Sequence, residues 1–277
     1  EKTPPVAEKT ITVDDLLISS AFVYELDETL AHYDLRGEIS KKIGYALAEN
    51  YDRRIFRAIT KAARQPSPVT MSNFVEPGGS VVKVGAAAST TAADAYNAGH
   101  LVNAFFDAAA ILDEKGVSGE GRVAVLNPRQ YYALIQDVSS NGLINRDVQG
   151  TALQSGNGII EIAGIKIYKS MNIPFFGKFG TKTDMNPRAS NDNEGSFVGE
   201  AMGDQDAAAN GGTPAGGQKT TNNYGTAAKF ANSCGLIFQK EAAGVVEAIG
   251  PQVQVTSGDV SVVYQGDVIL GRLAMGA

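Results

Sequence analysis

EKTITVDDLLISSAFVY (residues 8–24), then LAHYDLRGEISKKIGYALAENYDRRIFRAITKAAR (residues 30–64), reads as a short strand feeding one unusually long helix. From Leu35 every fourth residue is apolar: Leu35, Ile39, Ile43, Leu47, Tyr51, Ile55, Ile59 and Ala63. No proline interrupts the row until Pro66 and Pro68 close it. Asp34 stands where a helix cap would be. On a helix of 3.6 residues per turn a four-residue repeat advances by about 40° per step, so the row winds around the rod. That winding predicts that no single flat core buries it. At 1.5 Å per residue the rod is roughly 45 Å long, and its two ends would be covered by different bodies. The pattern is that of a beam between domains or subunits, a structural signature with no catalytic content.

Working outward, residues 1–24 read as an incoming arm plus a strand, with Ile11, Val13, Leu16 and Ile18 as its apolar positions. Pro66, Pro68, Pro77, Gly78 and Gly79 predict a loop or loosely paired hairpin over 66–90. A second helix is expected over about 92–115, capped by Thr90 or Thr91, with Leu101, Phe105, Ala109 and Leu112 on one side and Gly116 past its end. RVAVLNPRQYYALIQD gives a buried strand from Val123 to Leu126, an Asn127 cap, Pro128 in the first turn, and a short helix showing Tyr131, Leu134 and Ile135. GIIEIAGIKIYKSMNIP is a hairpin turning near Ala163 and Gly164 and ending at Pro174. Gly177 to Asn232 is rich in Gly, Asn, Asp, Thr and Ala and too poor in apolar surface for a core, so it reads as a long surface loop. CGLIFQKEAAGVVEA predicts a strand and a short helix from Glu241 to Ala248, and QVQVTS and VSVVYQGDVILGRLAM two closing strands. No period of repeats is visible.

A chain of 277 residues can bury a sizeable core. Its net charge of −6, without clustered Lys and Arg, argues against a dedicated DNA-binding surface. Cys234 is the only cysteine, which excludes an intramolecular disulfide and a cysteine-rich zinc site and fits a reducing compartment such as cytoplasm. No apolar run approaches the roughly 20 residues needed to cross a bilayer, which predicts a soluble chain. The first residue is not methionine and VILGRLAMGA stops in a strand-like pattern, so further residues are expected at the ends.

Residues that could carry chemistry are few. His32 and His100 belong to no ligand-spaced cluster, and packing or surface roles suit both. Cys234 precedes an apolar strand and reads as a small buried hydrophobe. Asp184, Asp192, Glu194, Asp204 and Asp206 fit no twelve-residue calcium loop and read as solubilising. The glycines form neither a phosphate-binding loop nor a dinucleotide fingerprint. The expectation is no enzyme, no cofactor and no metal.

The run EKTITVDDLLISSAFVYELDETLAHYDLRGEISKKIGYALAENYDRRIF resembles the equivalent segment of major capsid proteins of short-tailed, podovirus-type phages. Its most specific piece is His32, Tyr33 and Asp34, an HYD followed by Arg36. VAVLNPRQYYAL, EIAGIKIYKSMNIP, SCGLIFQKEAAGVV and YQGDVILGRLAMGA match in the same order. The resemblance covers nearly the whole chain and departs at about 176–232, which is longer here. The family's amino-terminal arm and most of its extended loop have no counterpart ahead of Glu1, so their contacts are not assigned.

The resemblance implies an α+β phage major capsid (Johnson) fold with a long spine helix. Residues 1–88 and 249–277 would form a peripheral domain, and 89–248 an axial domain carrying the loop at about 176–232. It implies a protein that assembles with itself into pentamers and hexamers, tiling the icosahedral head of a virion around double-stranded DNA without sequence-specific contact. Portal and scaffolding proteins would be partners, assembly would take place in host cytoplasm, and no membrane would be involved. The residues expected to contribute contacts between subunits, on charge and exposure alone, are Arg36, Glu38, Lys41, Lys42, Arg53 and Arg54, with residues 66–85. Two other readings stay open: a non-viral encapsulating shell protein of the same fold, and a hydrolase using Cys234 with His100.

Overall fold

The computed structural model describes residues 10–14, 16–31, 33–65, 70–71, 74–75, 77–85, 96–136, 160–173, 233–256 and 259–277. They fall into two compact units: 10–55 with 244–277, and 56–173 with 233–243. The first is built on a three-stranded antiparallel sheet and the second on a four-stranded mixed sheet.

In the first unit, strand β1 (Leu17–Tyr24) leads into a short helix, α1 (Glu25–Leu30), and then into α2 (Leu35–Ala63). The long helix is unbroken. Its cap is the expected one, for Asp34 Oδ1 accepts the Gly37 N–H at 2.8 Å. At 29 residues it is about 44 Å long.

The expectation that one flat core could not take the whole row holds at its far end, where Ile59 and Ala63 belong to the other compact unit, and fails for the rest. Leu35, Ile39, Ile43, Leu47, Tyr51 and Ile55 all pack on a single cluster with Val23, Ile269, Leu273 and Met275, and Ile59 is buried outside it. A sheet twists as it runs, and rows of residues four apart turn with that twist, so a row that leaves a flat surface stays on a twisted one.

In the second unit, β2 (Thr70–Met71) and β3 (Phe74–Val75) form the loosely paired hairpin expected there. Helix α3 (Ala98–Glu114) begins later than predicted. Its cap is Asn97, whose side chain accepts the Gly99 N–H at 2.9 Å, and Thr90 and Thr91 lie outside the described residues. It stops as expected at Gly116, which takes a φ of +72° open to glycine. Strand β4 (Arg122–Leu126), helix α4 (Pro128–Ile135), and the hairpin β5 (Ile160–Ile162) and β6 (Ile165–Lys169) follow the reading. Ala163 and Gly164, both at positive φ, make the two-residue turn. With β7 (Gly235–Gln239) the order is β5-β6-β4-β7, and β4 is parallel to β6 and antiparallel to β7. Leu101, Phe105, Leu126, Leu134, Ile165 and Ile167 fill the core between this sheet, α3 and α4.

Three local readings fail. The helix expected from Glu241 to Ala248 is one 3-10 turn, Lys240–Ala242, followed by strand β8 (Val246–Val255). Pairing of Val246 with Gly276 and Glu247 with Met275 overrides the local preference of AAGVVEA. VSVVY was read as strand but belongs to a short helix, α5 (Asp259–Tyr264), that connects β8 to β9 (Gly266–Gly276). Finally, the apolar positions read for the arm and strand are not the ones that face the core. Leu17, Ala21 and Val23 face the core, while Val13, Leu16 and Ile18 are exposed. A period of two allows either frame, and the pairing of Leu17 with the fully buried Leu273 selects this one.

Candidate functional site

The six charged residues singled out on α2 divide sharply. Glu38 and Lys41 are well exposed and pair with each other at 3.0 Å. Lys42 is exposed beside them. That bond and the Glu38 charge raise the Lys41 ammonium above its ordinary pKa. Arg53 lies mostly under cover, held by Glu49 at 2.9 Å one helical turn away. Arg36 bridges Glu28 of α1 at 2.5 Å and Asp267 of β9. Its place is to tie α1 to the sheet and α2.

Arg54 is not exposed, which corrects the premise on which it was chosen. Its side chain is buried against the equally buried Asp14, with Nη1 to Oδ2 at 3.1 Å. Asp14 in turn donates its N–H to the Met275 carbonyl at 3.0 Å, which fixes the carboxylate beside β9. Asn50, also on α2, is buried in the same unit. Apolar periodicity does not register these polar positions, because they lie beside the four-residue row and their partners are far away in sequence.

Elsewhere the polar groups organise backbone. Arg122 gathers the turn after α3, donating to Ser118 O at 2.9 Å, to Asp113 Oδ1 at 2.7 Å and to Val117 O. Lys115 donates to Gly78 O at 2.5 Å and Ser80 Oγ at 2.6 Å, and so anchors the stretch from Pro77 to Gly85, on which Val81 and Lys83 are exposed. Tyr51 donates its phenol to Glu247, and that bond, aided by burial, pushes the hydroxyl up to about 12.

Burial pushes the Cys234 thiol up to about 11, which disfavours the thiolate at neutral pH. It is a half-buried side chain at the entry to β7. His100 lies half-buried on α3. His32 and the acidic residues Asp184, Asp192, Glu194, Asp204 and Asp206 lie outside the described residues. Among the described residues no three His, Cys, Asp or Glu side chains gather as metal ligands, and no helix is long and apolar enough to cross a membrane. What the structure presents is surface: an exposed Glu38–Lys41–Lys42 cluster, and large apolar side chains left open on β1, α1 and α5.

Comparison with known proteins gives those surfaces a context. A segment of 52 residues, 19% of the chain, is 35% identical to the major capsid protein of Escherichia phage T7, and equally so to that phage's minor capsid protein. The matched segments span 15% and 13% of those proteins' own lengths. The capsid of cyanophage P-SCSP1u superposes on the whole chain with a TM-score of 0.67 and 26% identity, covering 75% of that capsid chain. The mature capsid of bacteriophage PhiM1 covers 99% of the chain at a TM-score of 0.55 and 14% identity, a likeness of fold alone, with 73% of its own chain matched. The α+β architecture is therefore the phage capsid fold, whose role is structural. The family model described as Gp10A-like major capsid protein matches residues 1–205, and the chain belongs to that family.

Proposed function

We propose that this chain assembles with itself into pentamers and hexamers that tile the icosahedral head of a short-tailed phage and enclose its double-stranded DNA. The whole-chain likeness to the cyanophage capsid is the observation that carries this reading. Each contact between copies can be weak, because a closed shell repeats it many times. The net charge of −6 suits a wall that contains DNA without gripping it. Residues 1–88 and 249–277 would act as the peripheral domain and 89–248 as the axial domain, with the loop at about 176–232 on an exposed edge. Portal and scaffolding proteins would join during assembly in the host cytoplasm.

Of the six charges considered, Glu38, Lys41 and Lys42 are exposed where a neighbour could reach them, whereas Arg36, Arg53 and Arg54 pair inside their own subunit. A partly electrostatic contact loosens in salt and can be rearranged as a shell matures. Negative-stain microscopy of the expressed protein across a salt series tests the proposal. Rings and closed particles at low salt that loosen at high salt are expected, more readily so in Lys41→Ala. Particles holding enzyme cargo in place of DNA when recovered from infected cells would contradict the phage role.

A further inference from the structure

The chain passes from β4 into α4 at Asn127, and this residue serves β7 instead of capping the helix. Its N–H donates to the Cys234 carbonyl at 3.1 Å and its Nδ2 to the Ser233 carbonyl at 2.9 Å. The Leu126 carbonyl beside it accepts the Ser170 N–H at 3.0 Å, so the end of β6 and the entry to β7 are held at one point of the sheet. Asn and Gln three residues apart at a helix start ordinarily form a reciprocal capping box. Here Asn127 makes no side-chain cap bond, and its N–H, the group that a Gln130 side chain would reach back to, is already taken by Cys234.

Three polar atoms are left over. Asn127 is 2% exposed and Gln130 not at all, yet among the described residues Asn127 Oδ1, Gln130 Oε1 and Gln130 Nε2 have no hydrogen-bond partner. Long helical side chains lean toward the N-terminus, which directs the Gln130 carboxamide at the turn that Asn127 opens. A buried amide that bonds to nothing is costly, and native structures pair such groups with protein or with ordered water.

We infer that the first turn of α4 is a binding site for buried water, which bridges the Gln130 carboxamide to Asn127 Oδ1. Two acceptors and one donor call for an occupant that both donates and accepts, as water does. An anion would face the two amide oxygens, and a cation would face the Gln130 N–H groups and bring an unpaired charge into the interior. The enclosure excludes larger molecules: Leu126 and Tyr131 are buried, and Gly235 lies so near that a Cβ on it would stand 2.7 Å from the Val125 carbonyl. Water bound here ties α4 to the residue that holds the entry to β7.

Gln130→Met keeps the length and bulk of the side chain and removes both polar atoms. With water in place, the variant leaves that water and Asn127 Oδ1 short of a partner, and the unfolding equilibrium constant in urea should rise about fivefold to tenfold. In a dry site the same change discards an unbonded amide, so a constant that falls or stays level would overturn the inference. A structure of the wild-type chain at a resolution that shows waters is a second measurement that does not depend on the variant folding. It should place a water oxygen about 2.7–3.2 Å from both Gln130 and Asn127. A Gln130 carboxamide bonded to another protein group, or an ion in the water's place, would equally overturn the inference.

Discussion

The two cores use the same residue types and close to different degrees. Beneath the four-stranded sheet, α3 and α4 meet strands, and the residues between them are almost fully buried, among them Leu134 of α4 and Ile165 and Ile167 of β6. Beneath the three-stranded sheet, one long helix covers one face, and half-buried residues such as Leu35, Ile39, Tyr51 and Ile55 make up much of the packing. Ile18, Phe22 and Tyr24 on the other face of β1 stay exposed. Phe22 and Tyr24 pack edge-on with ring centroids 4.8 Å apart, so the opening is an ordered surface. The first core is closed by two helices, whereas the second leaves one face of β1 open. In place of apolar mass it relies on a buried ion pair and on close helix–sheet approach.

The largest effect should therefore come from the ion pair. Asp14→Ala removes the buried carboxylate that faces the Arg54 guanidinium at 3.1 Å and should cost about 3–5 kcal/mol in urea unfolding. A loss below about 1 kcal/mol would mean the three-stranded unit does not depend on it. Leu134→Ala, in the other core, should cost about 3 kcal/mol through a cavity, and it should leave the shell contacts of any folded protein intact. Gly271→Ala sharpens the contrast. A Cβ there would collide with Ile43 Cγ2 and press on Leu47 Cδ1 at 3.0 Å, so α2 must lift from the sheet at a cost of about 1–3 kcal/mol.

Tyr51→Phe should give the smallest change and a characteristic pH dependence. The folded-state pKa is raised, so the phenol's contribution is fully present below the unfolded value near 10 and is lost as pH climbs toward about 12. Wild type should lose stability over that window, and the variant should lose less. Equal slopes would show that the bond to Glu247 contributes nothing.

Local signals in the sequence were enough for α2, the Asp34 cap, Pro128 at the start of α4, and the Ala163–Gly164 turn, since each is specified by residues within a few positions; Asn127 precedes α4 as expected, but its side chain makes no cap bond and donates to the distant Ser233 carbonyl. The frame of β1, the strand character of Val246 to Val255 and the helical α5 were not, because pairing with β9 decides them. The charged candidates show the same divide. Glu38 and Lys41 follow from helix spacing, whereas the burial of Arg54 depends on Asp14, 40 residues away. The exposure of Leu26, Leu30, Val262 and Val263 on two short helices could not be read beforehand, for their apolar character alone suits a core.

Electron cryomicroscopy of particles formed by the expressed chain bears on all of this at once. A closed shell of five- and six-membered rings is expected, with Leu35 to Ala63 a single unbroken helix in every copy. A chain that stays monomeric at every salt and protein concentration, or a lattice in which that helix is broken and folded back, would contradict it.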